Sequence, residues 1–180
     1  GTNNGTLQGG ATFAPGKVGQ AFSFDGTSGT VVVPDSPSLR LASQLSIEAW
    51  IYARSVSGNP GIISKVGIAT GNHGYQLGLW DNRLVGLLNG PDQAWPAETV
   101  ASGPLITTGQ WYHVVFTYDQ SAMKLYMNGT PVATNVIGPQ VIATTTTDLR
   151  ISGADDHCYF DGLIDEPSVY NRALSATEIA

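Results

Sequence analysis

The chain has 180 residues, of which 12% are charged and 22 are glycine, and its formal net charge is −6. A length of this order corresponds to one domain with its own core. The acidic balance argues against a nucleic-acid partner, which requires a basic face. No apolar run is long enough to insert across a membrane.

Short apolar runs alternate with Gly, Pro and Asn along the whole chain, which predicts an all-β fold. Strands are predicted at 20–24, 30–33, 46–53, 61–65, 74–80, 83–89, 111–118, 123–127, 148–152 and 160–170. Tight hairpin turns are predicted at Asp81-Asn82 and Asn128-Gly129. Ser175, followed three residues later by Glu178, is a capping-box pattern ahead of a helical turn. These elements predict a single domain over 1–180, built as a two-sheet antiparallel β-sandwich or jelly roll.

Several motifs, in this order along the chain, resemble a bacterial laminin G-like domain of the concanavalin A-like lectin/glucanase superfamily. They are Phe24-Asp25-Gly26, Val31 to Ser36, Leu45 to Ile51, Ile62 to Lys65, Gly109 to Val115, Leu125 to Gly129 and Phe160 to Ala180. The resemblance implies a concanavalin A-like jelly roll that binds sugars or proteins. Two departures stand out. Pro167 occupies an apolar strand position, which predicts a sheet edge there, and the first strand of the family is missing or clipped before Thr2.

A calcium site is the first candidate. Asp25 lies in a Gly-rich turn, and the resemblance indicates Asp165 on the closing strand as a side-chain ligand. The first and last strands of such jelly rolls are neighbours, so we expect the two acids to meet, with carbonyls around Gly26 and Ser28 completing an oxygen shell. In the alternative interpretation, Asp25 caps its turn and Asp165 pairs with a cation.

A sugar-binding face is the second candidate, because sugars bind through aromatic rings and polar hydrogen-bonding groups. Trp50 and Trp111 lie in alternating strands and are interpreted as core packing. Trp80, beside a turn, and Trp95, in a polar loop, are the predicted contacts, since loops carry function more often than core. The other predicted ligand-binding residues lie in or beside the same loop and are Asn89, Asp92 and Gln93. Alternatively, both tryptophans cover a hydrophobic edge.

Catalysis and a transition-metal site are both disfavoured by spacing. Asp165 and Glu166 are adjacent, so a regular strand sends them to opposite faces, and no paired acids suited to glycoside hydrolysis occur. The 154–159 loop contains Asp, His and Cys158, but consecutive residues cannot all face one ion, so we interpret it as a solvated loop.

The sequence therefore predicts a non-catalytic carbohydrate-binding module, with calcium as a structural cofactor and a glycan or polysaccharide as partner. It is expected to be extracellular or on the cell surface, tethered to other domains of a secreted bacterial protein. Gly1 is not an initiator Met, which indicates a processed or excised fragment. The alternative is a structural or adhesion module that recognises protein and has no sugar site.

Overall fold

The computed structural model describes residues 3–67, 73–90, 98–101, 105–154 and 157–180. These ranges contain fourteen strands, a 3₁₀ turn at Pro37–Leu39 and a short helix, α1, at Ala176–Ile179. The strands are β1 Thr6–Gln8, β2 Thr12–Pro15, β3 Gln20–Asp25, β4 Thr30–Val33, β5 Leu45–Ser55, β6 Gly61–Gly67, β7 His73–Trp80, β8 Arg83–Asn89, β9 Glu98–Ala101, β10 Trp111–Tyr118, β11 Ala122–Met127, β12 Thr130–Val136, β13 Leu149–Ile151 and β14 Asp161–Tyr170.

The strands form two antiparallel sheets that pack face to face as a β-sandwich. Sheet I has the order β1-β4-β13-β6-β7-β8-β9, and sheet II has the order β12-β11-β10-β5-β14-β3-β2. The predicted all-β sandwich is thus confirmed. Every predicted strand is present, while β1, β2, β9 and β12 were not predicted as strands.

Both predicted hairpin turns are formed by residues with positive φ. Asp81 and Asn82 have φ of 49° and 64°, and Asn128 and Gly129 have φ of 51° and 77°. Two successive left-handed residues match the right-handed twist of the flanking strands, which is why Asn-Gly and Asp-Asn suit two-residue hairpins.

The core lies between the sheets and is filled by one residue in two from each inner strand. On β5 the inward set is Ile47, Ala49, Ile51 and Ala53, each at most 1% exposed. The partner set on β10 is Tyr112, Val114, Phe116 and Tyr118. The intervening residues of both strands therefore project to the outer face of sheet II.

Strand β14 lies inside sheet II, between β5 and β3. Its pairing with β3 runs from Asp161 to Ile164, whereas its pairing with β5 continues to Tyr170. A bulge separates Asp165 from Ser168 along the β5 ladder. Pro167 falls in this bulge, on the part of β14 that β3 does not pair with, so the edge predicted at this proline is confirmed.

Candidate functional site

The outer face of sheet II is rich in aromatic side chains. Trp50 and Tyr52 project from β5, and Trp111 and His113 project from β10; all four are half-buried. The prediction that Trp50 and Trp111 pack in the core is wrong. Both tryptophans do lie in alternating strands. However, the inward positions are occupied by the aliphatic residues of β5 and, on β10, by Tyr112 and every second residue after it.

These four residues form two cross-strand pairs, which we name the aromatic face. Trp50 opposes His113 and Tyr52 opposes Trp111 in the β5–β10 ladder. The ring centroids are 5.1 Å apart in the first pair and 5.6 Å apart in the second. Directly opposed rings on one face stabilise a sheet, and here they also present ring surface to the outside.

The aromatic face is bounded on one side by the C-terminal segment. Leu174 and Ile179 pack on the outer-face residues Val115 and Tyr126, with Tyr170 against them. A capping box fixes α1, because Ser175 Oγ accepts from the backbone N–H of Glu178 and the Glu178 side chain accepts from the backbone N–H of Ser175. The C-terminal segment therefore covers one part of the outer face and leaves the rings at its border.

A carboxylate stands at that border. Glu48 Oε1 accepts a hydrogen bond of 2.6 Å from the Tyr170 hydroxyl, and Glu48 Oε2 lies 3.6 Å from His113 Nε2. The hydrogen bond to Glu48, followed by burial, raises the pKa of Tyr170 above its ordinary value. Glu48 therefore places carboxylate oxygens, which accept hydrogen bonds, beside the Trp50–His113 pair.

Asp165 organises the opposite border of the aromatic face. It opposes Trp50 in the β14–β5 ladder and is 2% exposed. Its Oδ2 accepts from Val18 N at 2.7 Å and its Oδ1 from Glu166 N at 3.0 Å. The first bond holds the β2–β3 loop, which carries Lys17 with Nζ 4.8 Å from the centroid of the Trp50 ring. Asp165 thus positions a cation over an aromatic ring, a favourable arrangement.

Asp25 serves as the acceptor for its own turn. Its Oδ1 accepts from the backbone N–H groups of Thr27, Ser28 and Gly29 at 2.8–3.0 Å, and its Oδ2 accepts from Ser28 Oγ at 2.9 Å. The hydrogen bonds from Ser28 and Thr27 hold the pKa of Asp25 well below its usual range. Gly26 has a φ of +72° and donates its N–H to the Phe160 carbonyl.

The structure does not bring Asp25 and Asp165 together. Asp25 opposes Asp161 in the β3–β14 ladder, and Asp165 lies four residues further along β14. At 3.3 Å per residue the two positions are about 13 Å apart. The predicted meeting of these acids is therefore wrong, and the pair does not fit one shared ion. Among the described residues no group of three His, Cys, Asp or Glu is arranged to hold a metal. Calcium binding as such stays a prediction.

Of the residues predicted to bind sugar, the structure describes Trp80 and Asn89. Trp80 ends β7, is half-buried and opposes Arg83, while Asn89 ends β8, is 1% exposed and opposes Gly74. Trp80 lies six positions beyond Gly74 along β7, so Trp80 and Asn89 lie at opposite ends of the hairpin, about 20 Å apart. Asp92, Gln93 and Trp95 fall outside the described residues.

In the predicted solvated loop, Asp155 and Asp156 also fall outside the described residues. Ala154 and His157 form an isolated antiparallel bridge. Cys158 is half-buried, and burial raises the pKa of its thiol above the ordinary value. A raised pKa disfavours the reactive thiolate.

The sandwich and its outer aromatic face define a domain of lectin-like architecture. The sequence profile of the concanavalin A-like lectin/glucanases superfamily (Laminin_G_3) matches residues 25–180, and the chain belongs to this family. It is 27% identical over 150 residues to mouse pappalysin-1, covering 74% of this chain and 9% of that protein. It therefore spans less than a tenth of the length of this relative.

Solved structures with the same fold include a domain in complex with an oligosaccharide and two binding domains. Domain 4 of AbnA, an extracellular GH43 arabinanase from Geobacillus stearothermophilus, in complex with arabinotriose, has a TM-score of 0.68 and 24% identity, with 97% of this chain and 85% of that chain covered. The binding domain of Paraclostridial Mosquitocidal Protein 1 has a TM-score of 0.78 and 17% identity, covering 98% and 46%. The binding domain of botulinum neurotoxin DC, in complex with rat synaptotagmin II, has a TM-score of 0.75 and 17% identity, covering 98% and 45%.

A membrane-spanning helix is not found in the part of the chain that the structure describes. The residues that sequence reasoning missed are Lys17, Tyr52 and His113, together with the outward orientation of Trp50 and Trp111. A signal for them was present, because Trp50-Ile51-Tyr52 and Trp111-Tyr112-His113 each repeat a ring at the two-residue period of one strand face.

Proposed function

We propose that this domain is a non-catalytic carbohydrate-binding module of a secreted, multidomain protein. The observation that carries this proposal is the aromatic face, where Trp50, Tyr52, Trp111 and His113 lie half-exposed on two adjacent strands. Such rings can contact the apolar CH faces of sugars, while the Glu48 carboxylate and the Tyr170 hydroxyl at the border can hydrogen-bond to sugar hydroxyls.

Similarity to known proteins supports the same conclusion. The chain belongs to a lectin/glucanase superfamily, and a domain of the same fold binds arabinotriose within an arabinanase. In the proposed function the module holds a polysaccharide close to a larger parent chain, and other domains of that chain carry out any reaction on it. Glu48 and Asp165 both lie beside Trp50, but each already accepts a hydrogen bond, Glu48 from the Tyr170 hydroxyl and Asp165 from Val18 N. This supports binding rather than acid–base catalysis at this face.

The proposal is tested with a glycan array on the purified domain, followed by titration calorimetry with the best oligosaccharide. Each ring contact contributes on the order of 1 kcal/mol. We therefore expect Trp50→Ala and Trp111→Ala each to weaken binding severalfold, up to about tenfold. Phe13→Ala is the matched control, because Phe13 is an aromatic ring of sheet II that is 55% exposed and lies on the edge strand β2.

Trp80→Ala separates this face from the loop site that the sequence suggests. If Trp80→Ala abolishes binding while Trp50→Ala and Trp111→Ala do not, the sugar site lies on sheet I and the aromatic-face proposal is wrong. A folded domain that binds no glycan on the array would contradict carbohydrate recognition altogether. A protein-binding module would then be the better description.

A further inference from the structure

A row of polar side chains crosses the outer face of sheet I, away from the aromatic face. Arg150 of β13 opposes Ser64 of β6, and Ser64 opposes Gln76 of β7. Directly opposed residues in a ladder project to the same side of the sheet. Val32 and Leu87 extend this row on either side.

Two members of this row are buried without satisfying their polar groups. Ser64 is 3% exposed and Gln76 is 6% exposed. Within the described part of the chain, neither side chain makes a hydrogen bond. Leaving a buried hydroxyl or amide unpaired costs free energy, and native structures keep few such groups, so each one calls for a partner.

A cavity of about 280 Å³ lies against this row. Its volume is just below the usual range of ligand sites, about 300–1,000 Å³. Its lining is polar apart from one valine and consists of Ser64, Val66, Thr146, Thr147, Asp148 and Arg150. A space of this size suits one small ligand rather than an extended chain.

The wall of the cavity is held in place by bonds from the other side. The buried Lys65 ammonium donates to the Thr147 carbonyl, and the Asp35 backbone N–H donates to Asp148 Oδ1 at 3.0 Å. Thr147 N also donates to Thr145 Oγ1 at 3.2 Å. These contacts fix the cavity wall without using the Ser64 hydroxyl or the Gln76 amide, and a wall fixed in advance lowers the cost of binding.

We propose that this cavity is a second ligand site, which takes a single neutral sugar unit. Among the lining residues, the hydroxyls of Ser64, Thr146 and Thr147 both donate and accept, Arg150 only donates, and Asp148 accepts. Sugar hydroxyls also donate and accept, so adjacent hydroxyls match this set. The charges of Arg150 and Asp148 offset each other, which favours a neutral ligand over a uronate or a phosphate. The site is on the opposite sheet from the aromatic face and does not depend on the proposed function of that face.

The experiment uses the domain, a panel of neutral monosaccharides, and two further probes, glycerol and glucuronate. Binding is followed by ligand-observed NMR and stability by thermal melting. Ser64→Ala removes a polar group of the cavity wall that has no partner in the free protein, whereas Gln76→Leu removes an unpaired group that does not line the cavity. We expect both variants to melt at the wild-type temperature or above it. Ser64→Ala should bind the sugar at least tenfold more weakly, and Gln76→Leu should bind it normally. Glycerol and glucuronate should bind wild type more weakly than the best neutral sugar.

Ser46→Ala is the matched control. Ser46 is a fully buried hydroxyl of sheet II that donates to the Arg172 carbonyl and accepts from Leu174 N. It should melt several degrees lower than wild type and bind the sugar normally. Trp50→Ala should also leave binding at this site unchanged, which separates this site from the aromatic face.

Three outcomes would overturn the proposal. If Ser64→Ala melts as low as Ser46→Ala, the Ser64 hydroxyl has a structural partner such as bound water, and the cavity is part of the framework. If no neutral monosaccharide binds at millimolar concentration, the cavity holds water only. If a sugar binds but Ser64→Ala retains wild-type affinity, the sugar binds elsewhere.

Discussion

The buried ion pair between Lys65 and Asp35 should be among the most sensitive positions of this domain. Lys65 Nζ lies 2.6 Å from Asp35 Oδ1, and the Lys65 side chain is 1% exposed. Asp35 also accepts from the Arg40 guanidinium and is 13% exposed. Asp35→Asn keeps the size of the side chain but leaves the Lys65 charge buried without a counter-charge, with only the Thr147 carbonyl and the introduced amide oxygen as neutral acceptors.

Removing one partner of a buried pair costs about 3–5 kcal/mol. The carbonyl contact that remains, and the partial exposure of Asp35, place this case near the lower limit, at about 3 kcal/mol. For a domain of this size that corresponds to a fall in melting temperature of about 6–12 °C.

Urea and thermal unfolding at pH 7 measure this change in the free energy of unfolding. Arg172→Gln is the control, because the Arg172–Glu178 pair has side chains 51% and 43% exposed, and exposed pairs contribute about 0.2–1 kcal/mol. If Asp35→Asn unfolds within about 0.5 kcal/mol of wild type, the buried pair contributes no more than a surface pair and the reasoning is wrong.

The same pair makes stability depend on pH in a defined direction. The hydrogen bonds from Arg40 and then Lys65 lower the pKa of Asp35 from its ordinary value of 3.8 to about 2. Because the folded-state pKa is depressed, the contribution of Asp35 is complete above pH 4 and is lost as the pH falls towards 2. The difference in melting temperature between wild type and Asp35→Asn should therefore shrink across this interval. A difference that stays constant from pH 5 to pH 2 would contradict the assigned cause.

The remaining predictions concern other parts of the fold. Phe116→Ala should lower the free energy of unfolding by about 3–5 kcal/mol, because Phe116 is fully buried against Gly86. Trp111→Ala should lower it by only about 1–2 kcal/mol, because Trp111 is half-buried. Equal losses in urea unfolding would place Trp111 in the core. Asp25→Ala should lose about 1–3 kcal/mol, because four hydrogen bonds disappear. Thermal melting of the wild type with calcium and with chelator tests the separate calcium prediction. A melting temperature that does not change when chelator is added would contradict it. Ser175→Ala should cost about 1 kcal/mol through the lost helix cap, with faster hydrogen exchange confined to the C-terminal segment; exchange that stays at the wild-type rate would show that the cap is dispensable.

The local features of this chain could be predicted from its sequence, because they depend on neighbours within a few residues. Asn128-Gly129 forms its hairpin turn since both residues accept positive φ. Ser175 and Glu178 form their capping box within one helical turn. The two-residue period of the strands predicted the sandwich, and Pro167 indicated where one ladder ends.

The placement of the site residues was decided by tertiary structure alone. Alternation shows that β5 has two faces, but either Ile47 or Trp50 could mark the inward one, and only packing against sheet I settles it. Strand neighbourhood suggested that Asp25 and Asp165 meet, yet the register sets them four residues apart. A shift of one residue in the alternation moves a side chain to the other face of the sheet, and a shift in register moves it several ångströms along the strand.

The polar cavity shows the same limit most clearly. Ser64 and Arg150 are 86 positions apart in the sequence and become direct neighbours because β13 inserts between β4 and β6. The sequence around Ser64 reads as an ordinary buried strand, and nothing local distinguishes Lys65 as the fully buried partner of Asp35. The sequence by itself determined ten of the fourteen described strands, two of their hairpin turns and the fold class. The pairing of distant strands determined which polar groups are buried together, because burial and hydrogen bonding depend on neighbours that only the folded chain supplies.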